Sequence, residues 1–116
     1  FTSPHLHTVR ERIRLGAELI PRSDLARITA SLVPGFQAEP WMIFFDRLLA
    51  VALTWFQERG AELVILEAGV GGRYDPTNII LPPALCIVTN ISLDHEGMLG
   101  GTIEASGRAP SAVVRR

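Results

Sequence analysis

"LEAGVGGRYDPTN", residues 66–78, is the stretch on which the reading of this chain turns. An apolar run ends on a carboxylate, Glu67, and passes almost at once into a cluster of glycines, Gly69, Gly71 and Gly72. Glycine tolerates positive φ and has no side chain to hold a ligand off. The stretch therefore suits either a tight turn or a backbone-lined site for phosphate or metal. Arg73 adds a planar cation of the kind that grips phosphate or carboxylate. A short glycine cluster settles nothing alone. The chain contains no G-x-x-x-x-G-K-[ST], so the phosphate-cradling loop of that pattern is absent from it.

Working outward, "ELVILE" (62–67) and "ALCIVTNI" (84–91) are short and continuously apolar, as strands in the middle of a parallel sheet are. Before them lies the most periodic segment, "PWMIFFDRLLAVALTWFQERG" (40–60). Trp41, Phe44, Phe45, Leu48, Ala52, Trp55 and Phe56 recur at three-and-four spacing and predict a helix. Pro40 suits its first turn and Gly60 its stop. Asp46 interrupts the apolar side and reads as a half-exposed charge. A long helix followed by an apolar strand predicts an α/β layered domain. Residues 68–84 are long enough for a crossover between parallel strands. Both strands would then end at one sheet edge, where open α/β sheets bind ligands. Neighbouring strands lie about 4.8 Å apart, so Glu67 and the Asp94–His95 pair beyond the second strand could meet on one cation. Such a pair leaves the metal open, since magnesium prefers oxygen ligands and imidazole suits zinc or manganese.

Nearer the start, residues 9–20 alternate and predict extended chain with a bend at Gly16. "PRSDLARITASLV" (21–33) predicts a helix capped by Ser23, with Leu25, Ile28 and Leu32 on one face. "VPGFQAEP" (33–40) reads as a connection rich in breakers. Ser3 and His5 flank Pro4 in what reads as a turn. From Ser106 the chain loses its pattern, and 106–116 is expected to be an unstructured tail. The chain of 116 residues is 47% hydrophobic and 20% charged with a net charge of −1, a composition that fits one globular domain. That charge leaves no polybasic footprint for nucleic acid, and no stretch is apolar for long enough to span a membrane. Cys86 stands alone in an apolar run and is expected to be a buried thiol in a reducing, cytoplasmic setting. All 11 basic residues are arginine, so no step in this chain can use a lysine amine.

"TSPHL" (2–6), "RERI" (10–13), "FFD" (44–46), "VILEAGVGGRYDPTN" (64–78) and "LDHEGMLGGTIE" (93–104) stand in an order and spacing that resembles folylpolyglutamate synthase and dihydrofolate synthase of the Mur ligase superfamily. The resemblance implies an ATP-dependent ligase in which a folate or dihydropteroate carboxylate is phosphorylated and glutamate displaces the phosphate. It implies a partial P-loop-type central domain over 1–105, α/β with a mostly parallel sheet and without the P-loop strand. It implies Mg2+ held by Ser3, Glu67 and His95 near the ATP phosphates. Ile43, Phe44, Phe45, Asp46, Tyr74, Asp75 and Pro76 match positions that contact the pterin-bearing substrate. The parent enzyme would be a monomer in the cytoplasm. Departures from the family pattern accompany the match. The family's P-loop precedes "SPHL", where this chain begins. A lysine that is carbamylated in the family follows "GTIE", where this chain reads "ASGRAPSAVVRR". Ile43, Asp46 and Leu49 replace the family's Thr, Glu and Thr. The expectation is an internal fragment without activity of its own, the alternative being a non-catalytic remnant that binds pterin or metal.

Overall fold

The computed structural model describes residues 1–70, 75–80, 82–89 and 112–115. The chain divides into two compact units, Phe1–Glu62 and Leu63–Arg116.

The first unit opens with a single turn of 3-10 helix, Val9–Arg12, where extended chain is expected. The cause is Glu11. Its carboxylate accepts from the amides of Leu6 (2.9 Å), His7 (3.1 Å) and Thr8 (2.7 Å) and curls the chain around itself. A hairpin follows, β1 (Arg14–Leu15) against antiparallel β2 (Glu18–Leu19). Gly16 opens its two-residue loop at φ 59°, the positive φ that tight hairpin turns demand. Ile13 and Ile20, on either side of the hairpin, are fully buried.

Helix α1 (Arg22–Ala38) runs well past the predicted end, through Pro34. Proline fits a helical φ and forfeits one amide bond. Ala30, whose carbonyl loses that donor, lies on the exposed side with Pro34, where water can replace it. Ser23 is not the cap; Pro21 occupies that position without a side-chain bond.

Helix α2 (Phe44–Glu58) starts later than predicted, and Pro40 and Trp41 precede it. Asp46 sets the start: its Oδ2 accepts from the Ile43 amide at 2.9 Å, one half of a capping box. Gly60, at φ 65°, ends the helix as predicted. The Ala61 amide reaches the Phe56 carbonyl and the Gly60 amide the Gln57 carbonyl, the paired bonds of a Schellman motif.

Leu48, Leu49, Val51, Ala52, Trp55 and Phe56 of α2 are buried, as is Ile28 of α1. The Trp55 indole N–H donates to Asp24 Oδ2 at 3.0 Å, so the largest core side chain carries no orphan donor. Arg27 of α1 forks onto Glu58 of α2 at 3.1 and 2.6 Å.

The second unit holds a three-stranded sheet in the order β3 (Val64–Glu67), β5 (Ala112–Arg115), β4 (Leu85–Ile87). This corrects two expectations. The apolar strands β3 and β4 are not bonded neighbours in a parallel sheet, because each pairs antiparallel with β5 between them. Residues 112–115, expected to be unstructured, supply that middle strand. The physical reason is local: "AVVR" carries two β-branched valines suited to extended backbone, and an extended segment can bond a strand on each side. Since both neighbours oppose β5, β3 and β4 still point the same way. Cys86, expected to be buried, is exposed, as are Leu85 and Ile87 beside it on this outer strand.

Candidate functional site

Glu67 closes β3, half-buried, one residue after the fully buried Leu66. In register it stands opposite Ala112, and so does Ile87 of β4. Glu67 and the end of β4 are therefore level across the sheet, but two strand spacings apart, roughly 10 Å, rather than adjacent. The expected adjacency of the two strand ends is not found, and Asp94 and His95 lie outside the described residues.

The loop after Glu67 folds back onto Asp75. One oxygen, Oδ2, accepts from the amides of Gly69 (2.7 Å) and Val70 (3.1 Å). The other, Oδ1, accepts from the amide (2.9 Å) and hydroxyl (2.6 Å) of Thr77. Asp75 is 4% exposed and Thr77 1%. Four donors fill the four acceptor sites that a carboxylate offers, so the buried charge is satisfied within the loop. The same carboxylate caps a 3-10 turn, Pro76–Ile79, with Pro76 at its first position. One residue thus ties the strand end to the turn beyond the glycines. Sequence reading placed Asp75 among substrate contacts and overlooked Thr77. The signal was there in "DPT": an acceptor at the cap, proline next, then a hydroxyl within reach.

Ile43 and Phe44 project from the start of α2, 65% and 58% exposed. The Arg12 guanidinium lies 5.6 Å from the centre of the Phe44 ring, and Arg12 Nε donates to His5 Nδ1 at 2.9 Å. Phe45 meets the buried Phe1 edge to face at 5.4 Å. Asp46 serves the helix cap already described. Four of the expected substrate contacts are thus gathered at one helix start. Asp75 and Pro76 are together in the second unit, and Tyr74 lies outside the described residues, as do Arg73 and Asp94. Of the expected magnesium ligands, Ser3 belongs to the first unit, half-buried in the bend before the 3-10 turn, and Glu67 to the second. His95 lies outside the described residues. Among the described residues no group of three or more His, Cys, Asp or Glu side chains could hold a metal ion, and no helix is long and apolar enough to cross a membrane.

A strand ending on a carboxylate, followed by a segment whose first amides bond back to an aspartate, stands where the sequence resembles a class of ligases. Along nearly all of its length the chain is similar to a segment of proteins named folylpolyglutamate synthase. It is 37% identical over 98% of its length to a probable bifunctional folylpolyglutamate synthase/dihydropteroate synthase of Haloferax volcanii. It is 36% identical over 90% of its length to the mitochondrial folylpolyglutamate synthase of Bos taurus. A folylpolyglutamate synthase of Saccharomyces cerevisiae is 37% identical, again over 90%. The chain spans only 14%, 19% and 21% of the length of these curated relatives. The Haloferax match, covering 98%, runs into the segment after residue 105. No protein-family model matches the chain, and no solved structure matches it.

Proposed function

We propose that this chain is part of the nucleotide- and substrate-binding region of an ATP-dependent ligase that joins glutamate to a folate or dihydropteroate carboxylate through an acyl phosphate. The observation that carries the reading is the Glu67 strand end with its loop held on Asp75, in a chain similar over 90% or more of its length to folylpolyglutamate synthases. Glu67, Ser3 and His95 are the proposed ligands of Mg2+. A single carboxylate and a hydroxyl fit an ion that keeps much of its shell as water and substrate phosphate; the imidazole is the less usual member. Bound there, the metal would offset phosphate charge during acyl-phosphate formation. Ile43, Phe44, Phe45 and Asp46 offer an aromatic surface to the pterin-bearing substrate, with Tyr74, Asp75 and Pro76. Asp75 acts by shaping its loop, since its own acceptor sites are filled.

By itself the 116-residue chain lacks a phosphate-cradling loop and any lysine, and we expect it to be inactive. The test is ADP release from ATP by the purified chain with Mg2+, glutamate and a dihydropteroate. Glutamate-dependent turnover would overturn the inactivity. Replacing the matching segment of the yeast relative with residues 1–104 tests the ligase reading directly: ligation should survive in the chimera and disappear with Glu67→Ala. A soluble, folded chimera that ligates equally well with Ala at that position would remove the metal assignment.

A further inference from the structure

The outer strand β4 is a sheet edge without the usual protection. It bonds β5 on one side and has no other strand partner among the described residues. Residues 84–89 are all exposed, with Leu85 at 55%, Ile87 at 44% and Val88 at 51%. Natural edges are blunted by charge, above all by lysine, or by proline. Here no charged residue stands between Asp75 and Asp94. Pro82 and Pro83 precede the strand. Having no amide to give, they bound the open edge at Ala84 without covering it. The other outer strand, β3, differs: Leu66 within it is fully buried, Glu62 precedes it and Glu67 closes it. A twofold axis sets each residue of a surface against its own symmetry mate, so like charges near the axis oppose self-pairing. β4 carries none. An antiparallel twofold centred on Cys86 gives the fullest overlap of this strand with itself. It pairs Leu85 with Ile87 of the second copy and Cys86 with its counterpart. Residues 85 and 87 are two apart, so the outward backbone groups of one copy meet those of the other.

We propose that two copies of this chain associate through β4, antiparallel about a twofold axis at Cys86, joining two three-stranded sheets into one of six. The inference does not rest on the ligase reading, and the thiol is a reporter of the contact rather than its cause. Facing Cα atoms of an antiparallel pair lie about 4.5–5.5 Å apart, within the span of a disulfide, about 4.4–6.8 Å. So short a ladder buries little area, and the dimer is a transient one, to be measured at high protein concentration. In sedimentation equilibrium of the reduced full chain, the mass should rise with concentration from one copy to two and stop there. Cys86→Ser should behave the same way. Cys86→Arg and Cys86→Glu each set like charges face to face and should weaken association by about fivefold. An equimolar mixture of these two variants should restore it. Diamide, which takes the two thiol hydrogens and is itself reduced, should link the unaltered chain into a disulfide dimer faster than it links the chain unfolded in urea. Should a charged variant fail to fold by circular dichroism, the cross-linking rates decide. A monomer at every concentration would overturn the proposal, as would masses beyond the dimer, which mark open-ended stacking. Folded charge variants that associate as well as their parent would assign the contact to another surface. Failure of the mixture to recover association would remove the twofold register, and cross-linking no faster than in urea would reduce the contact to chance collision.

Discussion

At the scale of single residues, two carboxylates give their loops a shape that no periodicity in the sequence announces. Asp75 gathers the amides of Gly69, Val70 and Thr77 and the Thr77 hydroxyl. Gly69 and Val70 are exposed, so water would serve them if Asp75 were lost. Buried Thr77 has no such recourse, and an unmet buried donor costs about 1–3 kcal/mol. Asp75→Ala is therefore expected to destabilise the second unit by about 2 kcal/mol. Hydrogen exchange should show faster loss at the Thr77 amide and no change along α2. Glu11 plays the same part in the first unit. The Leu6 amide first, then those of Thr8 and His7, hold its carboxyl below the ordinary value of 4.5, with partial desolvation opposing them. Because the folded value is the lower one, this stabilisation is complete above pH 4.5 and drains away as the pH falls through the folded value. On acidification below pH 4.5 the amide shifts of Leu6, His7 and Thr8 should titrate together, and Glu11→Gln should erase that step. Independent titration of the three amides would show that Glu11 does not organise the turn. Both carboxylates were visible in the sequence as residues, and Asp75 as a site residue. Their bonding was not, because a short-range acceptor role depends on how the backbone folds around the side chain.

At the scale of elements, the apolar spacing from Phe44 to Phe56 was enough to place α2 and its buried face, since burial of a helix follows the 3.6-residue period. The stop at Gly60 was equally legible. Its φ of 65° is the left-handed conformation in which a side chain is strained, and a Cβ added there would meet nothing within 4 Å. Gly60→Ala should therefore cost only the backbone term, about 1 kcal/mol, read as a lower thermal midpoint with no change in core packing. A loss several times larger would mean that the glycine is needed for space. The starts and ends set by other means were misread. Asp46 moved the start of α2 past Trp41, leaving that side chain 74% exposed. Pro34 failed to end α1, because a proline on a solvated face forfeits a bond that water can restore.

At the scale of the whole chain, the second unit depends on its last strand. Every ladder bond of β3 and β4 in the described sheet is to β5. Ending the chain at Ser111 should expose the amides of both strands to exchange within the second unit while those of α2 keep their protection; continued protection of β3 would show that another segment pairs with it. By itself, the sequence determined what depends on local pattern: an α/β chain, the two apolar strands, the main helix, the Glu67 strand end and its glycine loop, and the kinship with folylpolyglutamate synthases. These follow from side-chain periodicity and from motifs a few residues long. Tertiary structure alone decided which strands pair, that residues 112–115 enter the sheet between β3 and β4, that Cys86 is exposed, and that a cleft opens between α1 and α2. Such outcomes depend on which distant segments reach one another first to satisfy backbone donors and cover apolar surface, and a linear pattern carries no record of that competition.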